Sequence, residues 1–172
     1  MDIGLGTADN RERGGDLLGR GVVDARKALC MHGRQSAEQQ RIEKLARVNR
    51  FQDFTDDEIH EVVEHARYLT VPEHWALMVE QQPADKAYLI LSGEVSVRRH
   101  GEEVARLGAG EVIGEMALVN HKLRSATVVA DTPLEVLHFT TDTVAALTAK
   151  IPHFRDALIG AVEERIARDQ GS

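Results

Sequence analysis

The chain has 172 residues, of which 42% are hydrophobic and 4% aromatic, and its formal net charge is −7. Its length and hydrophobicity suit one compact domain with a core, accompanied by extra segments. Proteins that bind duplex DNA normally carry a basic stripe, and this sequence has none, so we expect no direct DNA binding. No apolar run approaches the length of about 18 residues that indicates a membrane-spanning helix. We therefore expect no membrane span.

The N-terminal region, residues 1–35, has the composition of a flexible tail. It holds half of the 14 glycines of the chain, and glycine-rich polar segments favour disorder over a packed core. Its first residues lack the apolar run of a secretory signal. Cys30 is the only cysteine, so no internal disulfide can form and a reducing compartment fits. We expect a cytoplasmic protein.

Two helices are predicted over residues 36–65. Apolar residues at three-residue spacing mark the first helix, and they are Ile42, Leu45 and Val48. Thr55 and Glu58 have the spacing of a capping box at the start of the second helix.

The second helix also contains the beginning of a zinc motif, His60-Glu61. The next histidine is His65, five residues after His60. Two such histidines point to different faces of a helix and do not readily share a metal ion. We therefore interpret this segment as a solvated helix face.

From Ala66 the apolar period changes to two, and short β-branched runs alternate with turn residues. Six or more closely spaced strands predict an antiparallel β-roll, or jelly roll, over residues 66–140. Helices are predicted again over residues 141–172. In this last segment we expect Thr141 to cap one helix and Pro152 to open another. Four apolar residues at four-residue steps predict that the final helix is amphipathic: Phe154, Leu158, Val162 and Ile166. The predicted fold class is α+β, a β-roll flanked by N-terminal and C-terminal helices.

The segment GEMALVNHKLRSAT, residues 114–127, interrupts the strands and carries the candidate site. Its centre is long enough for one or two helical turns, and the N-terminus of a helix presents free N–H groups that suit a phosphate. Gly114 allows a positive φ or a close approach of the backbone. Arg124 can bind two phosphate oxygens, whereas ionised Glu115 accepts hydrogen bonds from sugar hydroxyls. Together these residues describe a sugar-phosphate site.

A direct salt bridge between Glu115 and Arg124 is the alternative. The two residues are nine positions apart and could pair across the loop without any ligand. The residue types alone do not distinguish the two interpretations.

IGEMAL followed by RSAT resembles the phosphate-binding cassette of the cyclic nucleotide-binding domain family, here residues 113–127. The resemblance extends roughly from Phe51 to Ala167. It implies that cAMP or cGMP binds in the β-roll, with the ribose 2′-hydroxyl on Glu115 and the cyclic phosphate on Arg124. Backbone N–H groups of Met116 and Ala117 are expected to assist.

The rest of the cassette comprises Gly114, Ser125, Ala126 and Thr127. Ser125 and Thr127 match family positions that touch phosphate or base, and the small hydroxyl at Ser125 favours cAMP over cGMP. Three features depart from the family pattern. Leu123 replaces the usual proline, Ile113 replaces the usual aromatic residue, and QQPAD, residues 81–85, replaces the usual Gly-Asp turn between the second and third strands.

These features predict a stand-alone cyclic nucleotide sensor with no catalytic residue, metal or cofactor, whose C-terminal helices close over the base. The chain shows no helix-turn-helix, kinase pattern or channel span, so we expect the output to pass through an unidentified protein partner. One alternative is a degenerate fold that acts as an interaction scaffold without ligand. Another is a cupin-type metalloenzyme, which needs clustered inward histidines, whereas the histidines of the predicted roll are isolated: His74, His100, His121 and His138.

Overall fold

A computed structural model describes residues 36–115 and 123–170, with side chains up to residue 168. The predicted tail over residues 1–35, and the predicted ligand contacts of Met116 and Ala117, lie outside the described residues. The chain divides into the units Met1–Ala37 and Glu38–Ser172, and the architecture below is that of the second unit.

From residue 36 onward, three helical segments precede the strands. Helix α1 covers residues 36–46, a short 3-10 helix covers Asn49–Phe51, and helix α2 covers Asp56–His65. The predicted capping box at the start of α2 is confirmed, because the Thr55 side chain accepts from the Glu58 N–H and the Glu58 carboxylate accepts from the Thr55 N–H. Acidic residues in the first turn of α2 complement the helix dipole.

Over the described residues, eight strands form two four-stranded sheets, ordered β1-β8-β3-β6 and β2-β7-β4-β5. Every strand pair is antiparallel, which confirms the predicted β-roll and the α+β class. The strands are β1 Arg67–Val71, β2 Ala76–Met78, β3 Lys86–Ser92, β4 Val95–Arg99, β5 Glu102–Leu107, β6 Val112–Ile113, β7 Thr127–Ala130 and β8 Leu134–Thr140.

Strand β3 is central because both of its faces are buried. Alternate side chains point to opposite faces of a strand. Leu89 and Leu91 therefore pack in the cluster shared with the helices, whereas Tyr88 and Ile90 pack in the cluster between the sheets. This position explains why β3 reads as a nearly continuous apolar run.

Two helices follow β8, namely α3 at Thr141–Lys150 and α4 at Pro152–Gln170. Pro152 opens α4, as predicted, but the predicted cap at Thr141 is wrong. The N-cap of α3 is Thr140, whose side chain accepts from the Thr143 N–H at 3.2 Å. Thr140 ends a strand and so already has the extended backbone that an N-cap requires.

The apolar series predicted along α4 does not stay on one face. Phe154 is buried, but Ile166 is 40% exposed. An α-helix has about 3.6 residues per turn, so each four-residue step turns the series by about 40° around the axis. The buried face runs instead from Phe154 to Ala161, seven residues later. Across the described residues, none of the helices is long and apolar enough to cross a membrane.

Candidate ligand-binding site

Gly114 ends the strand that leads into the cassette, and it has the positive φ that the sequence led us to expect, +87°. A Cβ atom at this position would lie 2.6 Å from Nη1 of Arg124 and 2.9 Å from the carbonyl oxygen of Lys86. The backbone conformation and the close approach of the arginine therefore both require glycine.

Arg124 is a buried cation, only 4% exposed, that backbone carbonyl groups hold in place. Its Nη1 donates to the Gly114 carbonyl at 3.0 Å, and its Nη2 donates to the Lys86 carbonyl at 2.6 Å. The backbone of Arg124 is also fixed, since its carbonyl accepts from the Gln81 N–H and its N–H donates to Gln82. Burial lowers the pKa of the Arg124 guanidinium, but an arginine stays protonated in proteins.

Glu115 is the most unusual side chain of the site. It is completely buried, and neither carboxylate oxygen accepts a hydrogen bond from the described residues. Burial raises the pKa of the Glu115 carboxyl above its ordinary value of 4.5, and the Arg165 cation opposes that rise. A buried acceptor without a donor is costly, so this carboxylate is poised to accept hydrogen bonds from a bound molecule.

The alternative of a direct salt bridge between Glu115 and Arg124 is not what the structure contains. Within the described part of the chain, Arg124 has its ion pair with Asp85, at 3.9 Å. Glu115 instead has its ion pair with Arg165. The carboxylate and the arginine are thus held separately, as a sugar-phosphate site requires.

Arg165 is a site residue that the sequence analysis did not identify. Its Nη2 donates to the Val112 carbonyl at 2.9 Å and lies 3.7 Å from Oε1 of Glu115. A signal for it was present, because Arg165 follows Phe154 by eleven residues. Eleven residues are close to three full turns of a helix, which places Arg165 on the buried face of α4.

The remaining predicted site residues have different surroundings. Ser125 is exposed. Ala126 is buried in the cluster between the sheets. The hydroxyl of Thr127 accepts from the Glu80 N–H at 3.0 Å, so it ties β7 to the segment after β2 and still has its own proton to donate.

The helix α2 carries a trio of surface side chains, Glu61, Glu64 and His65, whose ligand atoms lie within 4.8 Å of one another. His65 contacts the Glu61 carbonyl through Nδ1, whereas His60 lies 3.6 Å from Glu38. The two histidines thus have different partners, in agreement with a solvated helix face.

The structure thus combines a two-sheet β-roll with two buried charged side chains, Glu115 and Arg124, that have separate partners. Residues 69–150 match the family model of the cyclic nucleotide-binding domain. The match to residues 69–150 confirms the resemblance that the cassette carried.

Two known proteins are similar to part of the chain. It is 44% identical over 63 residues, 36% of its length, to a cAMP-dependent protein kinase regulatory subunit of Yarrowia lipolytica. It is 34% identical over 93 residues, 54% of its length, to a cyclic nucleotide-gated potassium channel of Mesorhizobium japonicum. The matched parts are 17% and 26% of those two proteins, so the chain spans a minor part of their length.

The solved structure of a cyclic nucleotide-binding domain from Methylobacillus flagellatus is also similar. It is 27% identical with a TM-score of 0.64, and the match covers 79% of this chain and 80% of that one. The fold of the described residues is therefore that of the family's domain.

Proposed function

We propose that this chain is a cytoplasmic sensor that binds a cyclic nucleotide, with cAMP preferred over cGMP, and passes the signal to a protein partner. The observation that carries the proposal is the Glu115 carboxylate, which is fully buried with two oxygens that no described residue hydrogen-bonds. A ribose 2′-hydroxyl would supply the missing donor. A purely structural role, with Arg165 at 3.7 Å as the ion-pair partner, would leave both oxygens without a hydrogen-bond donor.

Arg124 is suited to the cyclic phosphate. Two of its donors are used by carbonyl groups, which fix the plane of the guanidinium and leave further N–H groups, since arginine has five. A phosphate monoanion would compensate a buried positive charge whose partner in the described chain is an exposed aspartate 3.9 Å away. The N–H groups of Met116 and Ala117 are proposed as additional donors.

The preference for cAMP rests on two supports. Ser125 provides a small exposed hydroxyl at the position that the family resemblance associates with cAMP. The relative from Yarrowia lipolytica belongs to a kinase that depends on cAMP. Both supports concern the ligand and neither assigns a reaction, so we propose no catalytic activity.

The switch that we propose runs through α4. Arg165 of this helix reaches Glu115, so a ligand hydroxyl on the same carboxylate changes the surroundings of Arg165. A ligand shifts a conformational equilibrium only by its different affinity for the two states. The competition between hydroxyl and guanidinium for Glu115 supplies that difference and lets the C-terminal helices respond to the ligand.

Isothermal titration calorimetry on the intact chain tests the function. We expect saturable binding of cAMP, weaker binding of cGMP, and much weaker binding of 5′-AMP, whose phosphate is not cyclic. Heat from neither cyclic nucleotide would instead identify a degenerate domain that acts as an interaction scaffold.

A further inference from the structure

A cleft of about 480 Å³ lies outside the proposed nucleotide site, where the end of α1 and the 3-10 helix face the turn between β5 and β6. This volume is in the range of small-molecule sites. None of the residues Gly114, Glu115 and Arg124 lines this cleft.

The cleft is basic although the chain as a whole has a net charge of −7. Three cationic side chains line it, Lys44, Arg47 and Arg50, against one carboxylate, Glu111. Glu111 is paired with Arg168, at 3.2 Å, and Lys44 and Arg50 are paired with carboxylates outside the cleft. The positive charge that no described carboxylate balances is therefore that of Arg47. An excess of positive charge in a concave site attracts anions.

Two of the cations have donors that the described chain does not satisfy. Arg47 is exposed, and no hydrogen bond or ion pair joins it to another described residue. Arg50 is mostly buried, and its Nε–H finds no acceptor in the described part of the chain. Both Lys44 and Arg50 are bound to carboxylates that do not line the cleft, Glu135 and Glu164. Arg47 is therefore the cation most available to a ligand.

The same cleft also has an apolar wall. Val48 and Leu91 line it, and both are largely buried residues of the cluster beneath the helices. A ligand with only charged groups would leave this wall uncovered. An anionic head group joined to a compact apolar body matches both halves of the cleft.

We propose that this cleft is a second ligand site, which binds a small organic anion carrying a phosphate or carboxylate group. The anionic group lies against Arg47 and the neighbouring Arg50, and the apolar body lies against Val48 and Leu91. The volume of the cleft favours a small molecule over an acidic segment of a protein.

An NMR titration of the intact ¹⁵N-labelled chain with phenyl phosphate tests this site. The Arg124→Ala variant serves as the background, so that the cassette does not bind the phosphate. We expect saturable shifts of the Ala109 and Gly110 amides, and a lower affinity for inorganic phosphate, which lacks the apolar body. Equal affinities for the two probes, or shifts confined to other regions, would overturn the proposal.

Adding Arg47→Gln to this background should weaken phenyl phosphate binding about tenfold, because a charge-assisted hydrogen bond is lost. Arg67→Gln is the matched control, since it removes another exposed arginine that does not line the cleft, and it should leave the affinity unchanged. If both variants lost the same affinity for phenyl phosphate, the loss would follow from the change in net charge, and this result would contradict the proposed site. If a triglutamate peptide shifted the Ala109 and Gly110 amide signals and phenyl phosphate did not, the result would contradict a small-molecule site and favour a protein partner.

The test of the second site can be distinguished from the test of cyclic nucleotide binding. Arg47→Gln in the otherwise unaltered chain should leave the cAMP affinity unchanged. A chain that binds cAMP but not phenyl phosphate would refute the second site alone.

Discussion

Arg165 lies 3.7 Å from the carboxylate of Glu115, whereas Arg124 directs its guanidinium to the carbonyl groups of Gly114 and Lys86. The cation next to the buried carboxylate thus comes from the final helix and not from the cassette. Removing Arg124 should therefore act mainly on ligand binding, whereas removing Arg165 should act mainly on the stability of the ligand-free chain.

Replacing Arg124 with alanine should weaken cAMP binding on the order of 30-fold or more, because removing one partner of a buried charge pair costs about 2–5 kcal/mol. Titration calorimetry measures the loss. Arg124→Lys keeps the charge but not the planar fork, so it should bind with intermediate affinity. Unchanged affinity in the alanine variant would contradict the role of Arg124 in phosphate binding.

Replacing Arg165 with glutamine should lower the free energy of unfolding of the ligand-free chain by about 1–3 kcal/mol, because the Val112 carbonyl loses a donor and Glu115 loses its cation. Urea denaturation measures this change. Arg168→Gln is the control on the same helix. Arg168 is more exposed, and exposed ion pairs are worth at most about 1 kcal/mol. Equal effects of the two substitutions would argue against a special role for Arg165.

Glu115→Gln should make stability less dependent on pH. Burial raises the pKa of Glu115 above 4.5 in the folded chain. Between pH 4.5 and this raised pKa, the folded state therefore holds more protons than the unfolded state. The contribution of Glu115 to the free energy of unfolding of the unmodified chain therefore falls as the pH rises from 4.5 through the raised pKa. The glutamine variant should be the more stable protein at pH 7, and this advantage should disappear below pH 4.5.

The measurement is urea denaturation of both proteins across this pH range. If the glutamine variant exceeded the unmodified chain in stability most strongly at acidic pH, the result would contradict a raised pKa of Glu115. In titration calorimetry the same variant should lose less cAMP affinity than Arg124→Ala, because an amide oxygen still accepts a hydrogen bond.

Gly114→Ala should destabilise the chain and also weaken cAMP binding, because its Cβ would lie 2.6 Å from Nη1 of Arg124. Gly101→Ala is a matched control, since Gly101 has nearly the same φ, +86°, but no atom within 4 Å of the added Cβ. The control should show only the backbone cost of a positive φ, about 1–2 kcal/mol, and no change in affinity. Thermal unfolding and calorimetry on both variants separate the two effects.

The β-roll and the start of α2 were predictable because their signals are local. Alternation along a strand and the Thr55–Glu58 spacing each lie within a few residues. Arg165 was not predicted because its contact with Glu115 joins residues 50 positions apart, and such a contact leaves no local pattern. The exposure of Ile166 was missed for a geometric reason, since a four-residue repeat does not match the period of the helix.

Arg50 has one further consequence for how the domain moves. Both of its hydrogen bonds to described residues end on α4, at the Ala157 carbonyl and the Glu164 carboxylate. The 3-10 helix before the strands is thus tethered to the last helix after them. A rotation of α4 would therefore move the 3-10 helix with it through these two hydrogen bonds, without any deformation of the two sheets.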